Sequence, residues 1–318
     1  MRNGLERTKK LRQGSCYKKL EQAARCWQLY LILLVPLAYL IIFHYVPMVG
    51  VQIAFKDYTP AKGIWGSAFV GFKYFLRFFK SYQFKNVIRN TLVVSLYQIA
   101  VCTPAPIILA LLINTAENKI FKKAAQTITY LPHFISVVVL IGMVNQIFNP
   151  ISGIYASIYE MFFHVKAPNI LGIPKAFYHI YVWSEVWQNT GWASIIYVAA
   201  LTNSDPSLHE AAQIDGASRF KRMIYIDLPI IVPTMTILLI MKCGHIMSVG
   251  YTKTLLMQNN FNISYSEVIS TYVYKIGLGS NGNYSYGTAV DLFNSVINLI
   301  LICTVNFISK KAGEESLW

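Results

Sequence analysis

The sequence predicts an all-α integral membrane protein of about six transmembrane helices. Two observations predict it. Of its 318 residues, 55% are hydrophobic and 13% charged, whereas about a quarter of the residues of a soluble domain are charged. The apolar residues are also gathered into runs long enough to cross hydrocarbon, with the charges between them. The formal net charge of +14 is spread over the intervals between runs rather than along one stripe or arm. It therefore speaks for membrane orientation, and no nucleic-acid partner is expected.

The elements follow in chain order. A basic tail over 1–27 precedes a first span at 28–50, which holds no Asp, Glu, Lys or Arg and at helical rise extends about 34 Å. It is too long for the apolar core of a signal peptide and ends without a small-x-small cleavage site, so it is expected to remain as a helix. After it, Lys73, Arg77, Lys80 and Arg89 alternate with Phe72, Phe75, Leu76 and Phe79 at helical spacing. Residues 72–89 are thus expected as an interfacial amphipathic helix, either a collar around the bundle or a docking surface. The second and third spans, 90–114 and 128–149, are again free of charge. The fourth, 178–202, contains Glu185, the fifth, 228–250, Lys242, and the sixth, 287–309, Asp291. A short tail over 310–318 closes the chain.

With an even number of crossings both termini share one side. The tails and the 115–127 and 203–227 loops together hold 16 Lys and Arg against 11 on the other face, which makes the termini cytoplasmic in a multi-pass protein of the cell (inner) membrane. Five scattered cysteines without a CxxC pair, and His209-Glu210 followed by Gln213 where HExxH needs His, give no metal site and no resident cofactor.

On the cytoplasmic side, between the fourth and fifth spans, the chain runs from Ser204 to Gly216. Asp205 with Pro206 behind it suits an N-cap and first helical position, Ser207 with Glu210 is an alternative capping box, and Gly216 suits the left-handed position past a helix end. On the helix between them Leu208, Ala211, Ala212 and Asp215 share one face, small, partly apolar and edged by acid, a shape that enters a groove.

Glu210, Ala211, Ala212, Gly216, Ile226, Leu228 and Pro229 stand at the spacing EAA-x3-G-x9-I-x-LP. In this the chain resembles the permeases of binding-protein-dependent ABC importers and their type I permease fold. Ile53 to Tyr58, Gln126 to Phe134, Thr271 to Tyr274, Tyr284 to Tyr286 and Glu315 to Trp318 are similar to the Lpl-type sugar-permease branch, which carries oligosaccharides or polysaccharide fragments. The chain departs from that branch at Gly250-Tyr251-Thr252-Lys253, where an acidic residue is expected. The resemblance implies a non-catalytic subunit whose helix around Glu210, Ala211, Ala212, Asp215 and Gly216 docks on an ATPase. It also implies two ATPase copies, a second homologous permease and an extracytoplasmic solute-binding protein. No GxxxxGK[ST] occurs in the sequence, so ATP and Mg belong to the ATPase partner.

Intramembrane ionisable residues are costly and mark functional positions by default. Glu185, Lys242 and Asp291 fall at similar depth in the outer half of their spans, either in a water-filled vestibule with Lys242 compensating a carboxylate, or as a buried structural pair or side chains snorkelling to the interface. Trp187 and Gln188, with Trp183, Trp192 and Tyr197, offer the ring faces and amides that sugars use, although Trp183 and Trp187 also suit an aromatic belt. The alternative is a secondary transporter driven by an ion gradient, which calls for inverted repeats that the sequence does not display.

Overall fold

The computed structural model describes residues 27–279, 282–313 and 315–317. All but the last residue of the expected basic tail over 1–27 lies outside the described residues. Helix α1, Trp27–Phe55, is 29 residues long and passes from α-helix through a π turn at Ile41–Tyr45 into 3-10 geometry over Val49–Phe55. It is apolar on every side, and none of its residues before Ala54 is buried. Such a helix needs lipid or another membrane chain around it.

A two-residue antiparallel ribbon follows, β1 (Lys56–Asp57) with β2 (Ala68–Phe69), Lys56 opposite Phe69. The amphipathic helix expected over 72–89 shrinks to α2, Lys73–Phe79, because the chain turns at Lys80–Gln83 and Phe84 already opens the next span. Its Phe78 ring lies 4.9 Å from that of Phe84 and 5.6 Å from that of Phe293, the packing of a collar.

Helix α3, Phe84–Thr115, is interrupted at Thr103, where Pro104 and Pro106 withhold two N–H groups. The single third span expected over 128–149 is instead two helices, α4 (Lys119–Phe134) and α5 (Val137–Ile147), at 100° to one another. Pro132 and the Ser136 N-cap, whose hydroxyl accepts from Val139 N at 3.3 Å, explain the break. After α6 (Ile154–Phe163) comes α7 (Ala176–Leu201), close to the expected fourth span. Helix α8, Pro206–Ile214, leads to α9, Arg219–Cys243. The fifth span thus starts before residue 228 and ends before 250. A π turn at Met223–Asp227 carries the helix back to Arg219, and turns replace it after Cys243. Helices α10 (Tyr251–Met257), α11 (Ile269–Leu278) and α12 (Tyr284–Lys311) complete the chain.

By length and composition α1, α3, α9 and α12 can each cross a membrane, and the bent pair α4–α5 makes a fifth candidate. Helix α7 has the length at 26 residues, but Glu185, Gln188 and Asn189 interrupt its apolar run. It packs against α3, α4, α9 and α10. Its inward stripe, Phe177, Tyr181, Gln188, Gly191, Ser194, Tyr197 and Leu201, keeps the three- and four-residue spacing of one helix face.

Candidate functional site

Helix α8 is built as its sequence directs. The Asp205 side chain accepts from Ser207 N at 2.9 Å, a bond that holds its carboxyl below the usual carboxylate range, and Pro206 opens the helix. Asp205, not the Ser207–Glu210 alternative, is the cap. At the other end Gly216 has φ +75°, and Ala217 N donates to Ala212 O at 2.8 Å, the six-to-one closure of a left-handed helix end.

Glu210, Ala211, Asp215 and Gly216 are exposed. Leu208 is 52% and Ile214 86% exposed, so two large apolar side chains project into solvent from a short helix. Ala212, expected on the same face, is turned partly inward beside His209. The open surface is therefore Leu208, Ala211, Ile214 and Asp215. Ile226, Leu228 and Pro229 sit at the start of α9, the first two half-buried and Pro229 exposed. Arg219 on α9 reaches Glu117 before α4 at 2.7 Å.

Between α3, α7 and α9 lies a cavity of about 510 Å³ whose polar lining includes Ser95, Gln98, Glu185, Asn189, Lys242 and His245. Two of the residues singled out for the cargo path, Glu185 and Lys242, meet here but do not pair. Lys242 Nζ donates to Cys102 O at 2.9 Å and approaches Thr103 Oγ1 at 3.3 Å. In an unbroken helix the N–H of residue 106 would take that carbonyl, and Pro106 has none, so the ammonium caps the break in α3.

Glu185 is matched instead by Lys253 of α10, at 2.7 Å. Lys253 stands in the segment that departs from the Lpl-type pattern, and it is 6% exposed. The other Glu185 oxygen accepts from Asn189 Nδ2 at 2.5 Å. With its amide so used, Asn189 turns its oxygen to His133 Nδ1 at 2.8 Å, which makes Nδ1 the protonated nitrogen. The His133 ring stacks on Trp192 at 4.5 Å. One polar chain thus joins α10, α7 and α4. Lys253 and His133 were not legible as partners, since they lie 68 positions from Glu185 and 56 from Asn189. Asn189, four residues after Glu185 on one helix face, carried an i, i+4 signal that sequence reasoning missed.

Trp187, Gln188 and Asp291 do not line this cavity. Trp187 is half exposed on the outside of α7. Gln188 is buried and donates to Ile135 O at 2.7 Å, the carbonyl that the α4–α5 break leaves open because Val139 N is taken by Ser136. Asp291 lines a separate groove of about 400 Å³ with Tyr251, Tyr274 and Tyr284.

Residues 78–312 match the family described as the inner membrane component of binding-protein-dependent transport systems. Among characterised relatives, the protein LplB of Bacillus subtilis (strain 168) is 40% identical over 292 residues, 91% of each chain. The polygalacturonan/rhamnogalacturonan transport system permease protein YteP of the same organism is 40% identical over 290 residues, 91% of this chain and 90% of that one. A chain in the crystal structure of a bacterial alginate ABC transporter, in complex with an alginate pentasaccharide-bound periplasmic protein, superposes with a TM-score of 0.85 at 37% identity. The match covers 93% of this chain and 99% of that one. The secondary-transporter alternative has no support among these relatives. A bent and broken helical bundle, a largely apolar cavity that carries a few charged and amide side chains, a capped and exposed helix between α7 and α9, and a family match over residues 78–312 meet in one conclusion: this chain belongs to the inner-membrane permease components of binding-protein-dependent transport systems.

Proposed function

We propose that this chain forms half of the translocation path of an ATP-driven importer of oligosaccharides or polysaccharide fragments and is moved by a separate ATPase docked on α8. The carrying observation is α8 itself. A capped helix with Leu208 and Ile214 exposed is a surface that requires a partner groove, because apolar side chains of this size gain free energy on leaving water. The sequence has no phosphate-cradling loop, which gives that partner the ATP, the Mg and the hydrolysis. A pair of closing ATPase copies offers two docking clefts. The second cleft calls for a homologous permease, and α1, unburied before Ala54, offers that subunit or membrane lipid an apolar surface. An extracytoplasmic binding protein delivers cargo, and both termini are cytoplasmic.

A sugar cargo fits the cavity bearing Glu185, Asn189, Gln98 and Lys242, a mixture of charged and amide groups suited to hydroxyls. It also fits the names of the polygalacturonan/rhamnogalacturonan and alginate relatives. Gln188 shapes this path from behind, while Trp187 and Asp291 border the bundle elsewhere. The test is ATPase stimulation and uptake in reconstituted membranes, with the binding protein loaded from a panel of neutral and uronate-containing oligosaccharides. Stimulation by at least one oligosaccharide is expected. Stimulation by none, in a complex that still hydrolyses ATP, would remove the cargo assignment.

A further inference from the structure

A buried carboxylate ties α8 to two membrane helices, and it stands at the variable position between Ile226 and Leu228, where the docking signature prescribes no residue. Asp227 ends the π turn of α9 and is 3% exposed. His209 Nε2 of α8 lies 3.3 Å from its Oδ1, and Asn114 Nδ2, one residue from the end of α3, donates to the same oxygen at 3.1 Å. Ser204 Oγ, in the turn leaving α7, stands 3.4 Å from the same His209 nitrogen.

Without this junction α8 is joined to its neighbours by turns. On one side the Thr202–Ser204 turn leads from α7, and on the other Gly216, at φ +75°, leads to α9. A second side-chain link, Arg222 to Gln213, is longer at 3.4 Å and exposed. Turns of this kind absorb a displacement rather than pass it on. A buried carboxylate resists, because separating it from His209 and Asn114 strips a desolvated group of its hydrogen bonds and leaves only the Arg222 charge across the small pocket they share. Moving α8 therefore drags Asp227 and with it the inner ends of α9 and α3, the two helices that line the cavity with α7.

We propose that Asp227, held by His209 and Asn114, is the joint through which displacement of α8 reaches the cavity-lining helices, with His209 and Asn114 as positioning residues. The inference rests on α8 being the ATPase-docking helix, and its test separates the two. The whole complex, with ATPase and loaded binding protein, is reconstituted with wild-type chain, His209→Ala, His209→Gln and Asn114→Ala, and each is scored for ATPase co-purification and for cargo transported per ATP hydrolysed. His209→Ala and Asn114→Ala are expected to keep the ATPase in wild-type amount and to lower cargo per ATP about threefold or more, the scale of coupling within one hydrogen-bonded network. Gln places an amide donor in similar reach, so His209→Gln is expected to recover most of the ratio, which a loss of packing alone would not allow.

An unchanged ratio in both alanine variants overturns the joint. Loss of the ATPase from His209→Ala alone also overturns it, since His209 would then act in docking. Absence of the ATPase from the wild-type preparation removes the docking reading, and the joint falls with it.

Discussion

At the residue scale, two positions show what single atoms decide. A Cβ built on Gly191 would stand 1.9 Å from the Thr129 carbonyl oxygen, so α7 and α4 touch backbone to backbone only because residue 191 has no side chain. Gly191→Ala is expected to destabilise the folded chain by about 1–3 kcal/mol through overpacking, read as a lower thermal midpoint in detergent. Gly216 is the opposite case. Nothing stands within 4 Å of its Cβ position, and the left-handed backbone alone excludes other residues. Gly216→Val should lose uptake while the chain still inserts, since only the exit from α8 is strained, by about 1–2 kcal/mol. Equal uptake at equal membrane abundance would contradict this. The Asp205 cap carries a pH sign. Its carboxyl titrates lower when folded, so its contribution is present above the ordinary carboxylate range and is lost as pH falls through the lowered value.

At the element scale, two of the helix prolines share one device. A π turn at Ile41–Tyr45 precedes Pro47, and another at Met223–Asp227 precedes Pro229. The wider turn moves aside the carbonyl four residues back that a proline ring would strike. The first turns of α9, where Asp227 sits, are thus shaped by the proline of the I-x-LP spacing. The face that α8 turns outward differs from the one expected from its sequence. Ala212 is turned toward the bundle, so the residue to enlarge at the partner surface is the exposed Ala211. Ala211→Trp is expected to keep membrane abundance and lose ATPase co-purification. Wild-type co-purification would show that this face is not the docked one.

At the scale of the whole molecule, the prediction is topological. Single cysteines at Lys62 and Lys166, both exposed, placed in a version of the chain whose own five cysteines are replaced, should react with an impermeant maleimide on intact cells, and protection of both would overturn the proposed topology. Subunit composition belongs to the same scale, because α1 leaves an apolar surface open to lipid or to another membrane chain. Intact-complex mass measurement is expected to find a homologous second permease and two ATPase copies, and a complex built on this chain alone would refute the heterodimer.

What the sequence determined by itself is what depends on short-range pattern and solvent. Charge-free runs place the helices, because hydrocarbon tolerates no unpaired backbone or lone charge, and the cap, proline and glycine around α8 are local chemistry within one dozen residues. The spacing from Glu210 to Pro229 was legible for the same reason. The bend at Ile135–Ser136 was not, since apolarity is the same on both sides of a break and only the neighbours of the freed carbonyl, Gln188 among them, show how it is stabilised. Nor were the partners of the buried charges. Glu185, Lys242 and Asp291 share a similar depth in the sequence, but depth along a helix says nothing of rotation about it, and the tertiary structure turned Lys242 to a proline-freed carbonyl and brought Lys253 to Glu185. The Asp227 junction was hidden likewise, because it joins residues 114, 209 and 227 that meet only when three helices pack.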